Sequence, residues 1–280
     1  MIANPKQRAR LVGGLLLLTG LVLAGLRLYT DWWKPLPYTQ LKRLLGPYPT
    51  KQGAIVLTLD DGYIRNWYDN RRWLDSLGLK TTIYLTEADP LSVADWQLVD
   101  SLRAAGVEIE AHGARHLNAV DYLADHDTSS WQAMELDPHL KSLSGHGIKP
   151  LSFAWPYGAL APELIPMLGR YFQLIRGCCH PKRVKAGRFD DALYQYDGAR
   201  SVNALCLDND LFDSASVKKA LEIAARDQVA VVFYGHELIN DGQARTKTNK
   251  ATLVWLARWQ RYYALRSLQI RDLVEGTKMP

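Results

Sequence analysis

Cysteine is scarce in this chain, and the three present, Cys178, Cys179 and Cys206, fit neither a disulfide framework nor a CxxC zinc site. Buried thiols are the plain expectation, with a bridge from one of the adjacent pair to Cys206 as the variant that an oxidising compartment would allow. There is no internal repeat, no low-complexity tract and no arrangement of Ser, His and Asp that reads as a nucleophilic triad. The local signatures of thiol hydrolases are missing around Cys178 and Cys179. An excess of one charge is missing too. The formal net charge is +5, but residues 1–30 hold four of the 34 Lys and Arg and none of the 29 Asp and Glu, which leaves 30 against 29 in the remainder. Basicity therefore belongs largely to the amino terminus. No nucleic acid partner is implied, and charge gives no support for a strongly acidic polymer as substrate.

What that terminus does contain is Lys6, Arg8 and Arg10 followed by an apolar run over 11–28, interrupted only by small residues, Thr19 and a late Arg27 that can snorkel. Its nine Leu and two Val favour insertion by roughly 5 kcal/mol in sum on a bilayer-insertion scale. Basic residues before it and Trp32 and Trp33 after it predict a single transmembrane helix with a cytoplasmic amino end and an outer aromatic anchor. A cleaved signal peptide, with its small-residue site at 22–24, is the rival reading. Residues 1–30 thus read as a cytoplasmic tip and anchor, and 31–52, with four prolines, as an extended spacer. Residues 53–280 form one further domain. The expected location is a bacterial-type cell membrane, single-pass, with that domain on the outer side, or secretion after cleavage.

Within this domain, TLDDGY at 58–63 ends an apolar, β-branched run over 54–59 that reads as a buried strand. Asp60 and Asp61 then stand at the buried end of a core strand, where two carboxylates cannot both stay ionised without a cation or a shared proton. An Asx turn is the bland alternative. His112 and His116 follow a strand-like 107–111, and imidazoles four apart can converge on one ion. Two His and one carboxylate leave a coordination position open, as in a catalytic zinc site. The runs 151–155 and 229–234 lead in turn into Pro156, Tyr157 and Gly158 and into Gly235 and His236. In a β/α barrel the carboxyl ends of all strands open on one face. Strand-like 80–85 and helical patterns at 92–105, 130–143, 216–225 and 249–265 fit that alternation, whereas 177–210 is poorly legible. His126, His139, His146 and His180 lack ligand spacing and read as surface or loop residues.

In this order and spacing, TLDDGY, HGARH, FAWPYG and YGH resemble the motif series of the polysaccharide deacetylases, carbohydrate esterase family 4, over about residues 53–273. The resemblance implies an α/β fold, a single distorted (β/α) barrel of about seven strands. Position by position it implies a catalytic base at Asp60, metal ligands at Asp61, His112 and His116, and a catalytic acid at His236. It also implies an oxyanion contact from the backbone N–H of Tyr157. Trp155 beside it is available to stack on a sugar face, a plain core tryptophan being the alternative. Three departures stand out. Gly113 replaces the Ser or Thr usual after the first His, and Ala154 replaces the arginine that orients the base in many members. Arg176 is the candidate substitute, with an ordinary strand-end arginine as the alternative. The acidic partner of the catalytic His is unassigned between Asp208 and Asp210.

The implied chemistry is metal-assisted hydrolysis that removes N-acetyl groups from an N-acetylglucosamine-containing envelope or extracellular polysaccharide. The implied cofactor is one divalent ion, zinc first, with Co, Ni or Mn as alternatives. The competing functions are an O-acetyl esterase, a deformylase acting on a lipid-linked sugar, and a non-catalytic glycan-binding protein.

Overall fold

β-branched and apolar side chains at Ala54–Asp61 make the first strand, β1, whose residues are almost all buried. In the computed structural model, which describes residues 52–276 apart from 243, this strand is paired along both edges. A strand covered on both faces must read as a continuous apolar run, which is why β1 and its neighbour lack polar alternation. The other strands are β2 (Thr81–Leu85), β3 (Glu108–Ala111), β4 (Ser152–Ala154), β5 (Leu174–Cys178), β6 (Leu193–Tyr194), β7 (Ser201–Cys206), β8 (Ala230–Gly235), β9 (Glu237–Ile239), β10 (Lys247–Asn249) and β11 (Arg266–Leu268). Strands β1-β2-β3-β4-β5-β7-β8 are parallel and follow one another around a ring that the β1–β8 pairing closes. The architecture is a seven-stranded β/α barrel. Short β11 joins the base of β1, and short antiparallel β6 joins the base of β8.

Helices cover the outside. Val93–Ala104 begins with a capping box, in which Ser92 and Asp95 satisfy each other's backbone amides. Ser214–Asp227 and Lys250–Tyr262 match the helical patterns of the sequence. The segment 130–143 is helical in three pieces, Thr128–Trp131, a π-helical turn Gln132–Leu136 and Asp137–Gly145. Helix Ile64–Ser76 has no side-chain cap and buries Ile64, Trp67 and Leu74.

Two expectations are corrected. Arg176, for which a strand-end position was the alternative, lies inside β5, which starts at Leu174 after the helix Ile165–Tyr171. His139 is not a surface residue but fully buried. The three thiols are free. The anchor at 11–28 and the spacer up to residue 51 lie outside the described residues, among which no helix is long and apolar enough to cross a membrane.

Candidate active site

The carboxyl ends of β1, β3, β7 and β8 bring Asp60, Asp61, His112, Asp208 and His236 to one face of the barrel, and Arg176 joins them from within β5. Asp61 ends β1 in a left-handed conformation, φ 85°, and His116 and Tyr157 adopt φ of 53° and 58°. A left-handed non-glycine residue costs on the order of 1 kcal/mol, and such strain concentrates where function requires it. The Nδ1–H of His112 donates to the carbonyl of Ala154 at 2.9 Å, which fixes the tautomer and turns a bare Nε2 toward Asp61. Nε2 of His112 and Nε2 of His116 lie 3.5 and 3.2 Å from Asp61 Oδ1 and 3.3 Å from each other.

These three donor atoms fit a divalent cation. The atoms that Asp61, His112 and His116 offer all lie within 4.8 Å of one another, and Asp61 Oδ1 is buried yet in hydrogen-bonding geometry with no partner. Two imidazole nitrogens and a carboxylate oxygen form a borderline donor set that suits zinc and its first-row neighbours. Burial works to raise the pKa of Asp61, but the facing imidazoles outweigh it and hold the carboxyl well below the usual range.

Asp60 is 2% exposed and its Oδ2 ion-pairs with Nη2 of Arg176, which is 0% exposed. Arg176 stands in direct register with Ala154 on the neighbouring strand. Its guanidinium lies 5.0 and 5.3 Å from the ring centroids of Tyr84 and Tyr234, and Nη1 donates to Cys178 Sγ at 3.1 Å. Burial opposes the charge on Arg176, but the Asp60 carboxylate more than compensates and raises its pKa. The second Asp60 oxygen, Oδ1, is buried with no hydrogen-bond partner.

A second pair joins His236 to Asp208. His236 Nδ1 meets Asp208 Oδ2 at 2.5 Å, Thr248 Oγ1 donates to Asp208 Oδ1 at 2.6 Å, and the His236 amide donates to Thr248 Oγ1 at 3.1 Å. Nε2 of His236 points to the cluster, 3.9 Å from Asp61 Oδ2. Burial pulls the imidazole pKa down, yet Asp208, Asp60 and Asp61 together lift it from 6.5 to about 9. Asp208 is thus the acidic partner. Asp210 instead accepts from the Thr246 amide and pairs with Arg245.

The two aromatic candidates separate. Tyr157 is 70% exposed with its ring 4.5 Å from that of His116, whereas Trp155 is 1% exposed and packed against Trp131 and Phe153. Trp155 therefore has no face to offer a sugar, and the core reading replaces the stacking one. Sequence reading missed Thr248, His139, whose Nε2 faces the His112 amide at 3.3 Å, and Glu135, which accepts from the amides of Arg115 and Leu117 on either side of His116. None carries ligand spacing, and their contacts span 12 to 40 residues.

The sequence model of a family described as polysaccharide deacetylase matches residues 48–170. No curated protein matches the sequence. Among solved structures, the chain is similar to the Xyl-CE4 domain of a multidomain xylanase from the hindgut metagenome of Trinervitermes trinervoides, at TM-score 0.52 and 14% identity over 82% of this chain and 93% of that one. It is similar to a family 4 carbohydrate esterase from Streptomyces lividans in complex with acetate, at TM-score 0.50 and 16% identity over 78% and 93%. It is also similar to a peptidoglycan N-acetylglucosamine deacetylase, at TM-score 0.50 and 13% identity over 82% and 91%. At these identities the likeness establishes the fold.

Proposed function

We propose, for a chain whose residues 48–170 match the polysaccharide deacetylase family, that it is a metal-dependent hydrolase removing N-acetyl groups from an N-acetylglucosamine-containing polysaccharide. The observation that carries this reading is the convergence of Asp61, His112 and His116, with the Arg176-paired Asp60 and the Asp208-paired His236 beside them.

A divalent cation, zinc first, held by Asp61, His112 and His116 would supply Lewis-acid polarisation of the acyl oxygen and a lowered pKa for the attacking water. The protein's own residues do the rest. Asp60 takes the proton of that water through Oδ1, while Arg176 ties down Oδ2 and keeps the carboxylate from rotating onto the cation. The Tyr157 N–H, on its strained turn, stabilises the oxyanion. His236, charged at neutral pH because Asp208 faces its Nδ1, delivers the Nε2 proton to the departing amine. An amide nitrogen leaves poorly until protonated, so an amide-cleaving site needs this acid as well as a base.

The non-catalytic alternative draws its support from the arginine missing at Ala154, and the Arg176–Asp60 pair removes that support. The apolar run at 11–28 favours an anchored protein acting at the outer face of a cell membrane. Acetate release from chitin oligomers, peptidoglycan, acetylated xylan and a short N-acetylglucosamine exopolysaccharide tests the reading. Release from an N-acetylated polymer is expected. Release from acetylated xylan alone would turn the assignment to O-acetyl ester hydrolysis, and release from none would overturn it.

A further inference from the structure

The loop from His112 to Leu117 is held between Thr86 and Glu87 on one side and a single residue, Glu135, on the other. The loop turns through Gly113 at φ 89°, which glycine adopts freely, and through His116 at φ 53°, which a non-glycine residue holds only where its surroundings over-determine it. Glu135 supplies three acceptors to it. Its carbonyl accepts from the Ala114 amide at 2.9 Å, Oε2 from the Arg115 amide at 2.8 Å and Oε1 from the Leu117 amide at 2.9 Å. From the other side, the Gly113 carbonyl accepts from Thr86 Oγ1 at 2.9 Å and from the Glu87 amide at 3.1 Å.

Glu135 is 0% exposed and belongs to the π-helical turn Gln132–Leu136. Such a turn carries one extra residue relative to an α-helical one and so re-aims a side chain, a device frequent at functional sites. A burial this complete is tolerated because both carboxylate oxygens are satisfied. Gly113 and Glu135 are moreover one arrangement: a Cβ on Gly113 would stand 2.0 Å from Glu135 Oε1. A side chain at one position excludes the carboxylate from the other.

We propose that Glu135 is a positioning residue that shapes the loop between His112 and His116, standing in for the hydroxyl residue that Gly113 replaces and setting how tightly the two imidazoles hold a cation. The inference rests on the reading of those histidines as metal ligands. The Glu135 carboxylate touches neither the cation site nor substrate, and acts through the backbone of Arg115 and Leu117.

The test compares wild type with Glu135→Gln and Glu135→Ala at pH 8, above the value of about 7 to which burial raises the Glu135 carboxyl. Three readouts are taken: zinc and cobalt affinity against a chromophoric chelator, the visible spectrum of the cobalt form, and amide exchange at Arg115 and Leu117 in metal-free protein. Loss of an outer partner of metal ligands weakens binding by about 10- to 100-fold, so both variants should lose affinity on that scale and show an altered cobalt spectrum. Exchange at Arg115 and Leu117 should accelerate while the helix Ile64–Ser76 keeps its protection. Glu135→Gln, which retains one acceptor oxygen, should be the milder and decides the matter if Glu135→Ala does not fold. Wild-type affinity, spectrum and exchange in the glutamine variant would overturn the proposal. Absence of metal binding by the wild type would instead overturn the metal reading, and the exchange rates would still decide whether Glu135 shapes the loop.

Discussion

Arg176 and Ala154 stand side by side in register on parallel neighbouring strands, and the guanidinium of Arg176 ion-pairs with Asp60. Registered neighbours project to the same face of a sheet. A cation beginning at either position therefore starts from the same layer of the barrel interior, and a small residue at 154 leaves room for the arginine at 176.

Moving the cation back is the first prediction. Arg176→Ala should lower turnover by at least roughly 100-fold, the scale of general-base catalysis, while metal content stays at the wild-type level. Ala154→Arg in that background should recover a measurable part of the loss. No recovery in a folded double variant, together with full activity of Arg176→Ala, would remove Arg176 from the mechanism.

The same pair makes a stability prediction. Breaking a buried ion pair by removing one partner costs about 3–5 kcal/mol because the other charge is left unpaired. Arg176→Met should fall in that range in denaturant unfolding, and adding Asp60→Asn should restore part of the stability rather than lower it further. Additive losses would mean that the two side chains do not interact.

Stability should also depend on pH through His236 and His139, with opposite signs. The folded-state pKa of His236 is raised from 6.5 to about 9, so its contribution is complete below pH 6.5 and is lost as pH rises through 9. Asp208→Asn should flatten the dependence between those values. His139 is buried and lowered from 6.5 to about 3. The unfolded chain takes up its proton first, so stability should fall as pH drops from 6.5 toward 3. A denaturation midpoint that is flat from pH 4 to 9 would contradict both.

Much of the fold is legible in the residues for a physical reason. Strands β1 and β8 are buried on both faces, so hydrophobicity alone outlines them, and the cluster Asp60, Asp61, His112, His116 and His236 follows because barrel strands end on one face. Strand β5 is obscured by a charge: Arg176 interrupts an apolar run, and only the Asp60 carboxylate, 116 residues away, explains its burial. The choice of Asp208 over Asp210 depends on how one loop folds against Thr248, 40 residues on. Helix Ile64–Ser76 lacks a cap, and a π-helical turn such as Gln132–Leu136 has no local signature, so Glu135 is invisible until the loop it holds is seen. Trp155 misleads because an aromatic next to a site motif reads alike whether its ring faces core or solvent.

The division of labour between the two neighbouring carboxylates gives a further prediction. Asp60→Asn should retain the metal and lose at least roughly 100-fold in turnover, whereas Asp61→Asn should lose the metal. Elemental analysis of both variants separates them. Equal metal loss in both, with Asp60→Asn active in excess metal, would reverse the assignment.

The central claim is that hydrolysis depends on one cation held by Asp61, His112 and His116. Its most direct test is to strip the protein with a chelator, titrate zinc or cobalt back, and follow acetate release from an N-acetylglucosamine oligomer together with bound metal. Activity should vanish on stripping and return in proportion to metal up to about one ion per chain, and Asp61→Asn should not regain it. Metal-free protein that releases acetate at the full rate would contradict the account.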